Sequence, residues 1–254
     1  MDTIADCHSR LTELLGSSTE PLDVLRRTEE HRSYWRPERV KVILLAESHV
    51  YTAPGELTRT TTLPVLEPPG LPSGFVRLVY CLGYGENQLL DRPIKAPSNS
   101  GTPQFWKIFY SCVNPVRAND DFVGIQSGVP LVDRIANKIA VLQRMRELGV
   151  WLVDTSLAAL YQPGQIKPPA KILAACLQTS WDHHVGEVIK AAAPARLICI
   201  GKGVASALSD RLQPFSARLT VVAQPNARLT AAEHHQSFQT YNRVVREANA
   251  LRLC

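Results

Sequence analysis

Short apolar runs alternate with longer amphipathic stretches along this chain, a pattern typical of an α/β protein with a parallel sheet. The apolar runs are rich in Val, Ile and Leu and end in polar residues or glycine, which indicates strands buried on both faces. The predicted strands cover 41–46, 150–153, 196–200 and 219–223. One predicted helix begins near Pro103, and the others cover 131–148, 169–176, 181–193, 204–212 and 231–252. We therefore expect a three-layer α/β/α sandwich around a four-stranded parallel sheet, with residues 1–254 forming a single domain.

Two segments lie outside this alternation. Within residues 1–35, apolar residues recur at helical spacing over 6–15, and a second segment starts at Pro21. This pattern predicts a helical extension ahead of the first strand. Residues 52–104 contain many of the 18 prolines and form a long irregular insertion. Loops of that length inside a compact domain usually serve a function or move.

The predicted topology brings the carboxyl ends of all four strands to one edge of the sheet. Ligands of open α/β proteins bind in the crevice outside that edge. The first strand ends in AESHVYT, and this segment supplies a carboxylate, a hydroxyl, an imidazole and a phenol from Glu47, Ser48, His49 and Tyr51. A carboxylate at the end of a buried strand is costly unless it is hydrogen-bonded or faces a cleft. Glu47 beside His49 is therefore a candidate pair for activating water.

Composition narrows the classes of function without choosing one. The formal net charge of +5 permits nucleic-acid binding but is equally compatible with an ordinary solvated basic surface. No apolar run approaches the roughly 20 residues needed to cross a bilayer, so no membrane association is expected. The polar N-terminus does not resemble a signal peptide. The six cysteines are dispersed without a CxxC pair, which favours the cytoplasm and argues against an iron–sulfur or zinc site.

Other motifs are weaker. Gly201-Lys202-Gly203 joins a predicted strand to a helix and could hold a phosphate, but it lacks both GxGxxG and P-loop spacing. The alternative is a tight turn that needs glycine. The pairs His183-His184 and His234-His235 lack further ligands at metal-binding spacing and fit a solvated helix surface. No cofactor is expected.

Taken in chain order, five segments resemble the uracil-DNA glycosylase superfamily. They are AESHVY (46–51), PQFWKI (103–108), VWLVD (150–154), LICIGK (197–202) and QPNARL (224–229). The resemblance extends over about residues 38–250, and the FWKI helix is most similar to the mismatch-specific branch. It implies a monomeric, cofactor-independent enzyme of base-excision repair in the cytoplasm, associated with the nucleoid. Its substrate would be uracil-containing DNA, single- or double-stranded, and free uracil would be its product after base flipping.

The resemblance also implies catalytic roles. Glu47 and Ser48 fall on the side of the site that activates water, and Ser48 stands where Asp or Asn is usual, so Glu47 or His49 would substitute. Gln224 stands where a His usually supports the uracil anion, and its amide can still donate a hydrogen bond.

Asp154 falls where an Asn commonly reads the base. With a carboxylate at this position, three alternatives are open: Asp154 has a raised pKa, it reads the base differently, or its role is structural. The stacking ring is expected from the insertion, with Tyr84 preferred and Tyr51, Tyr80 and Phe75 as alternatives. Asn226 is a further expected base contact, and the expected DNA contacts are Gly201, Lys202, Pro225 and Arg228, of which Arg228 falls in the loop that enters the minor groove.

Two other hypotheses remain open from the sequence. One is a catalytically weak member of the same fold that binds DNA or uracil without cleaving it. The other is an unrelated α/β hydrolase that uses Glu47 and His49.

Overall fold

Four parallel strands form one sheet at the centre of the computed structural model, which describes residues 2–94, 102–117, 119–161, 167–225 and 227–250. The strands are β1 (Val42–Ala46), β2 (Val150–Asp154), β3 (Arg196–Ile200) and β4 (Leu219–Val222). Their order in the sheet is β2-β1-β3-β4, and each neighbouring pair is parallel. The predicted α/β class with a four-stranded parallel sheet is confirmed.

Helices pack around this sheet. They are α1 (Thr3–Leu15), α2 (Leu22–Tyr34), α3 (Thr102–Val113), α4 (Leu131–Glu147), α5 (Ala170–Ser180), α6 (Gly186–Ala192), α7 (Lys202–Ala207), α8 (Ser209–Leu212) and α9 (Ala231–Ala250). Helix α3 packs against α4 and α9, and helix α1 packs against α2 and α5. These two groups of helices are consistent with a layer of helices on each face of the sheet.

Three helix predictions differ from the structure in detail. The predicted helix 169–176 extends to Ser180 in α5. The predicted helix 181–193 begins with a π-helical turn, Trp181–Val185, that links α5 to α6 without a break. The predicted helix 204–212 starts two residues earlier and is divided into α7 and α8. Among the described residues, no helix combines the length and the apolar character needed to cross a membrane.

The central position of β1 follows from its sequence. All five residues of VILLA are buried, as expected for a strand covered on both faces. β4 lies at one edge of the sheet and is less buried than the other strands, with Val221 45% exposed. The chain runs from β1 to β2 on one side and from β3 to β4 on the other. The topological switch point, where ligands of such sheets bind, therefore lies between the ends of β1 and β3.

The N-terminal extension and the described part of the insertion both belong to this core. Leu11 of α1 and Leu25 of α2 are fully buried in the same hydrophobic cluster as the strands. Within the insertion, Phe75 and Tyr80 are buried. His31 of α2 donates to the Gly74 carbonyl at 2.6 Å, which ties the insertion to the extension. Residues 52–94 thus lack long regular elements, and the part that is buried in the core is mainly 75–90.

Candidate functional site

The segment after β1 presents two polar side chains at the carboxyl edge of the sheet. Glu47 and Ser48 are both half-buried, directly beyond the fully buried strand. The β1–β2 ladder continues past the strands, because the Ser156 amide donates to the Glu47 carbonyl at 2.9 Å. The Leu160 amide donates to Ser48 Oγ at 3.3 Å. Glu47 and Ser48 are therefore held by the segment that follows β2.

Tyr161 is the partner of Glu47 and was not among the site residues expected from the sequence. Burial and the Glu47 carboxylate, to which the phenol is hydrogen-bonded, raise the pKa of Tyr161 to about 12. Lys167 Nζ lies 6.0 Å from the centroid of the same ring. The signal that could have found Tyr161 is its place on the segment leaving β2, at the same carboxyl edge of the predicted sheet as AESHVY.

His49 does not pair with Glu47. Its ring is fully buried, with Nε2 2.8 Å from Glu20 Oε2 and Nδ1 3.7 Å from Asp154 Oδ2. Burial alone would lower the pKa of His49, but the Glu20 charge and the nearby Asp154 outweigh it and raise the pKa to about 9. A protonated imidazole cannot accept a proton from water. The expected role of His49 as a general base therefore does not fit its surroundings.

Asp154 is also enclosed. Its side chain is 3% exposed, and Arg32 Nη2 donates to Oδ2 at 2.7 Å. Burial opposes ionisation, but Arg32 and His49 keep the pKa of this carboxyl below its usual range. Of the three alternatives considered for Asp154, a raised pKa is the opposite of this direction. Its burial and its partners fit the structural role, and the carboxylate is not presented to a base.

Glu20 completes this buried network and was not identified from the sequence. It is 1% exposed. Besides contacting His49, its carboxylate accepts from the Thr52 amide at 2.6 Å and from the Ala159 amide at 2.9 Å. It lies between α1 and α2, in a segment that the apolar pattern places outside the sheet, so no local signal marked it. Arg32 also pairs with Glu29 at the outer end of the network.

The other side of the site is formed by the ends of β3 and β4. Gly201 has φ +118°, and a Cβ added there would lie 2.9 Å from Gln224 Cγ. Glycine is therefore required both by the backbone conformation and by the close approach of Gln224. The predicted tight turn at 201–203 accounts for this glycine without a phosphate.

The expected DNA contacts differ in exposure. Lys202 and Arg228 are exposed, whereas Pro225 and Gln224 are half-buried. Asn226, expected to contact the base, lies outside the described residues. Beyond it, the loop ends in a capping box at the start of α9, in which the Thr230 amide donates to Glu233 Oε2 at 2.7 Å.

The expected stacking aromatics are mostly core residues. Tyr84 is 5% exposed, and Tyr80 is 1% exposed with its hydroxyl accepting from the Leu152 amide at 2.8 Å. Phe75 is fully buried. Tyr51 is half-buried, and burial followed by the charge of nearby carboxylates raises its pKa. Tyr51 and Tyr161 are thus the half-buried rings at this edge, and the preference for Tyr84 does not fit its burial.

No metal site is apparent in the described parts of the chain, where no group of His, Cys, Asp and Glu is arranged to hold an ion. The five described cysteines are free and buried. The histidine pair on the π-helical turn contacts α1, with His183 Nδ1 3.3 Å from Asp6 Oδ2 and His184 Nδ1 2.9 Å from Thr3 Oγ1.

Comparison with known proteins adds no family to this description. No protein-family model matches the chain, and no curated protein sequence matches it significantly. The chemistry of the carboxyl edge is therefore the basis on which a function can be assigned.

Proposed function

We propose that this protein is a uracil-DNA glycosylase, with a fold of that superfamily, that hydrolyses the N-glycosidic bond after flipping the nucleotide out of DNA. The observation that carries the proposal is the pair of half-buried polar groups, Glu47 and Gln224, at the ends of β1 and β4 beside the switch point. β3 lies between these strands, so their ends are two inter-strand spacings apart, or about 10 Å. That width suits a flat base with its deoxyribose.

Glu47 has the properties needed on the sugar side. A half-buried carboxylate can orient or deprotonate a water and can stabilise the positive charge that develops on the sugar. Tyr161 donates to this carboxylate, which limits its rotation. Ser48 Oγ accepts from the Leu160 amide, so its hydroxyl hydrogen is oriented toward other acceptors, such as the attacking water.

Gln224 has the properties needed on the base side. Its amide can donate to an oxygen of the departing uracil, and its packing on Gly201 fixes its position. Asp154 next to a developing anion would oppose the reaction if its charge were uncompensated. Arg32 and protonated His49 offset part of the negative charge of Asp154, Glu20 and Glu29. As the cations in contact with Asp154, they weaken the field of this carboxylate on the leaving base.

DNA binding would use the exposed cations at the same edge. Lys202 follows β3 and Arg228 follows β4. Phosphate contacts of this kind position the strand without reading its sequence. Tyr51 and Tyr161 are the rings from which a stacking partner for the flipped base would come.

The test is an excision assay on uracil-containing single- and double-stranded oligonucleotides, followed by alkaline cleavage of abasic sites. We expect scission with the wild type and a loss of at least about 100-fold with Glu47→Gln, the usual contribution of a positioned acid or base. Glu187→Gln is the matched control, because Glu187 lies on α6 with a 75% exposed side chain. Absence of scission with both substrates would overturn the proposal. Salt-sensitive DNA binding without scission would favour the non-cleaving alternative.

A further inference from the structure

Glu20 holds both segments that form the mouth of the candidate site. One is the segment after β1, residues 47–52, and the other is the segment after β2, residues 155–161. Glu20 Oε1 accepts from the Thr52 amide in the first segment, and Oε2 accepts from the Ala159 amide in the second. The same Oε2 is 2.8 Å from His49 Nε2. One carboxylate therefore spans the two segments.

These two segments carry the groups assigned to the sugar side of the reaction. The first carries Glu47 and Ser48, and the second carries Tyr161, the partner of Glu47. Their direct contacts include the bond from the Leu160 amide to Ser48 and that from the Ser156 amide to the Glu47 carbonyl. Glu20 adds an anchor from outside the sheet.

Glu20 is itself fixed. Its own carbonyl accepts from His8 Nε2 of α1 at 2.8 Å, and α2 begins two residues later. The N-terminal extension therefore reaches the site through a residue that α1 contacts and that lies two residues before α2. We infer that Glu20 is a positioning residue for the hydrolysis, fixing the segment that carries Glu47 and Ser48 against the segment that carries Tyr161. This inference rests on the proposed function.

The donors around Glu20 require a carboxylate. Three N–H groups, two backbone amides and the Nε2–H of His49, point at its two oxygens. A glutamine of the same shape has one oxygen and one NH₂ group, so at least one donor would face another donor. Three further charged residues extend this group. Asp154 of β2 contacts His49, Arg32 of α2 contacts Asp154, and Glu29 of α2 contacts Arg32.

The experiment compares the wild type with Glu20→Gln, and with Glu13→Gln as the control, because Glu13 is exposed on α1 of the same extension. Single-turnover excision of uracil, DNA affinity and amide hydrogen exchange are measured well below the melting temperature of each variant. For Glu20→Gln we expect excision to slow by about 10- to 100-fold, the effect of a small misplacement of reacting groups, with DNA affinity unchanged. The Thr52 and Ala159 amides should exchange faster, while amides in the middle of α9 keep their protection.

A merely structural role would raise exchange in α9 as much as at Thr52 and Ala159, and that result would overturn the inference. Unchanged excision in Glu20→Gln at equal folded fraction would also overturn it. If the wild type excises no uracil, the proposed function fails instead. In that case the exchange at Thr52 and Ala159 still decides whether Glu20 fixes the two segments.

Discussion

The buried imidazole of His49 should make the stability of the folded protein depend on pH. Its pKa is about 9 in the folded protein, against an ordinary value of 6.5 for histidine. Between these two values the folded chain holds a proton that the unfolded chain has released. The stability due to His49 is therefore complete below pH 6.5 and is lost as the pH rises through 9. One pKa unit corresponds to about 1.4 kcal/mol, which gives about 3 kcal/mol over this window.

The assay is urea unfolding followed by tryptophan fluorescence at a series of pH values from 6 to 9.5. The perturbation is His49→Gln, which removes the titrating group and leaves Glu20 and Asp154 without their shared cation. We expect the wild type to exceed the variant by about 3–5 kcal/mol in free energy of unfolding at pH 6, the usual cost of breaking a buried ion pair. The difference should shrink by about 3 kcal/mol toward pH 9.

Taking the difference between the two proteins removes the pH dependence that they share. His235→Gln, a change on α9 outside the network, is the matched control for loss of a histidine. A difference that is flat from pH 6 to 9.5 would mean that His49 is not held as a cation between its carboxylates. A difference that grows with pH would mean that it is buried neutral. Either result would refute the electrostatic account of the network.

Three further changes test the other parts of the site. Gly201→Ala should cost about 1–3 kcal/mol in unfolding experiments, because φ is +118° and the added Cβ meets Gln224; unchanged stability would contradict this. Tyr161→Phe should slow uracil excision by about tenfold, because it removes one hydrogen bond to the charged Glu47, and a rate equal to the wild type would contradict that role. Arg228→Gln should weaken DNA binding for all sequences and reduce the salt slope by about 1, whereas an unchanged slope would place Arg228 away from phosphate.

The strands were predictable because their signal is local. Each is a run of four or five mostly apolar residues, and β1, β2 and β3 are almost wholly buried, as expected in a parallel sheet with helices around it. The switch point could not be located from the sequence, because it depends on the order β2-β1-β3-β4 and no local pattern encodes that order. Glu47 and Gln224 could be selected because they directly follow or nearly follow strands.

The residues that contact His49 and Asp154 could not be predicted from local sequence patterns. Glu20 is 29 residues from His49 and 139 from Ala159, and Arg32 is 122 residues from Asp154. Contacts at such separations leave no periodicity in the sequence. A histidine three residues after a strand therefore predicts proximity to the site but not whether its side chain faces the ligand. The same limit applies to Tyr84, whose place in an irregular stretch suggested exposure although the stretch is packed.

The buried network bears on how Asp154 and His49 would act in the proposed glycosylase. An aspartate at position 154 is a poor base reader if its charge is free, because it repels the uracil anion. Here Arg32 and His49 offset it, and both are brought to it by elements other than β2: α2 and the segment after β1. A carboxylate at 154 and a cation at 49 are thus one coupled feature. Replacing either alone would remove one of the other's two charge partners, leaving Asp154 with Arg32 or His49 with Glu20, and removing one partner of a buried charge is destabilising. This coupling explains why neither residue can be interpreted from its own position.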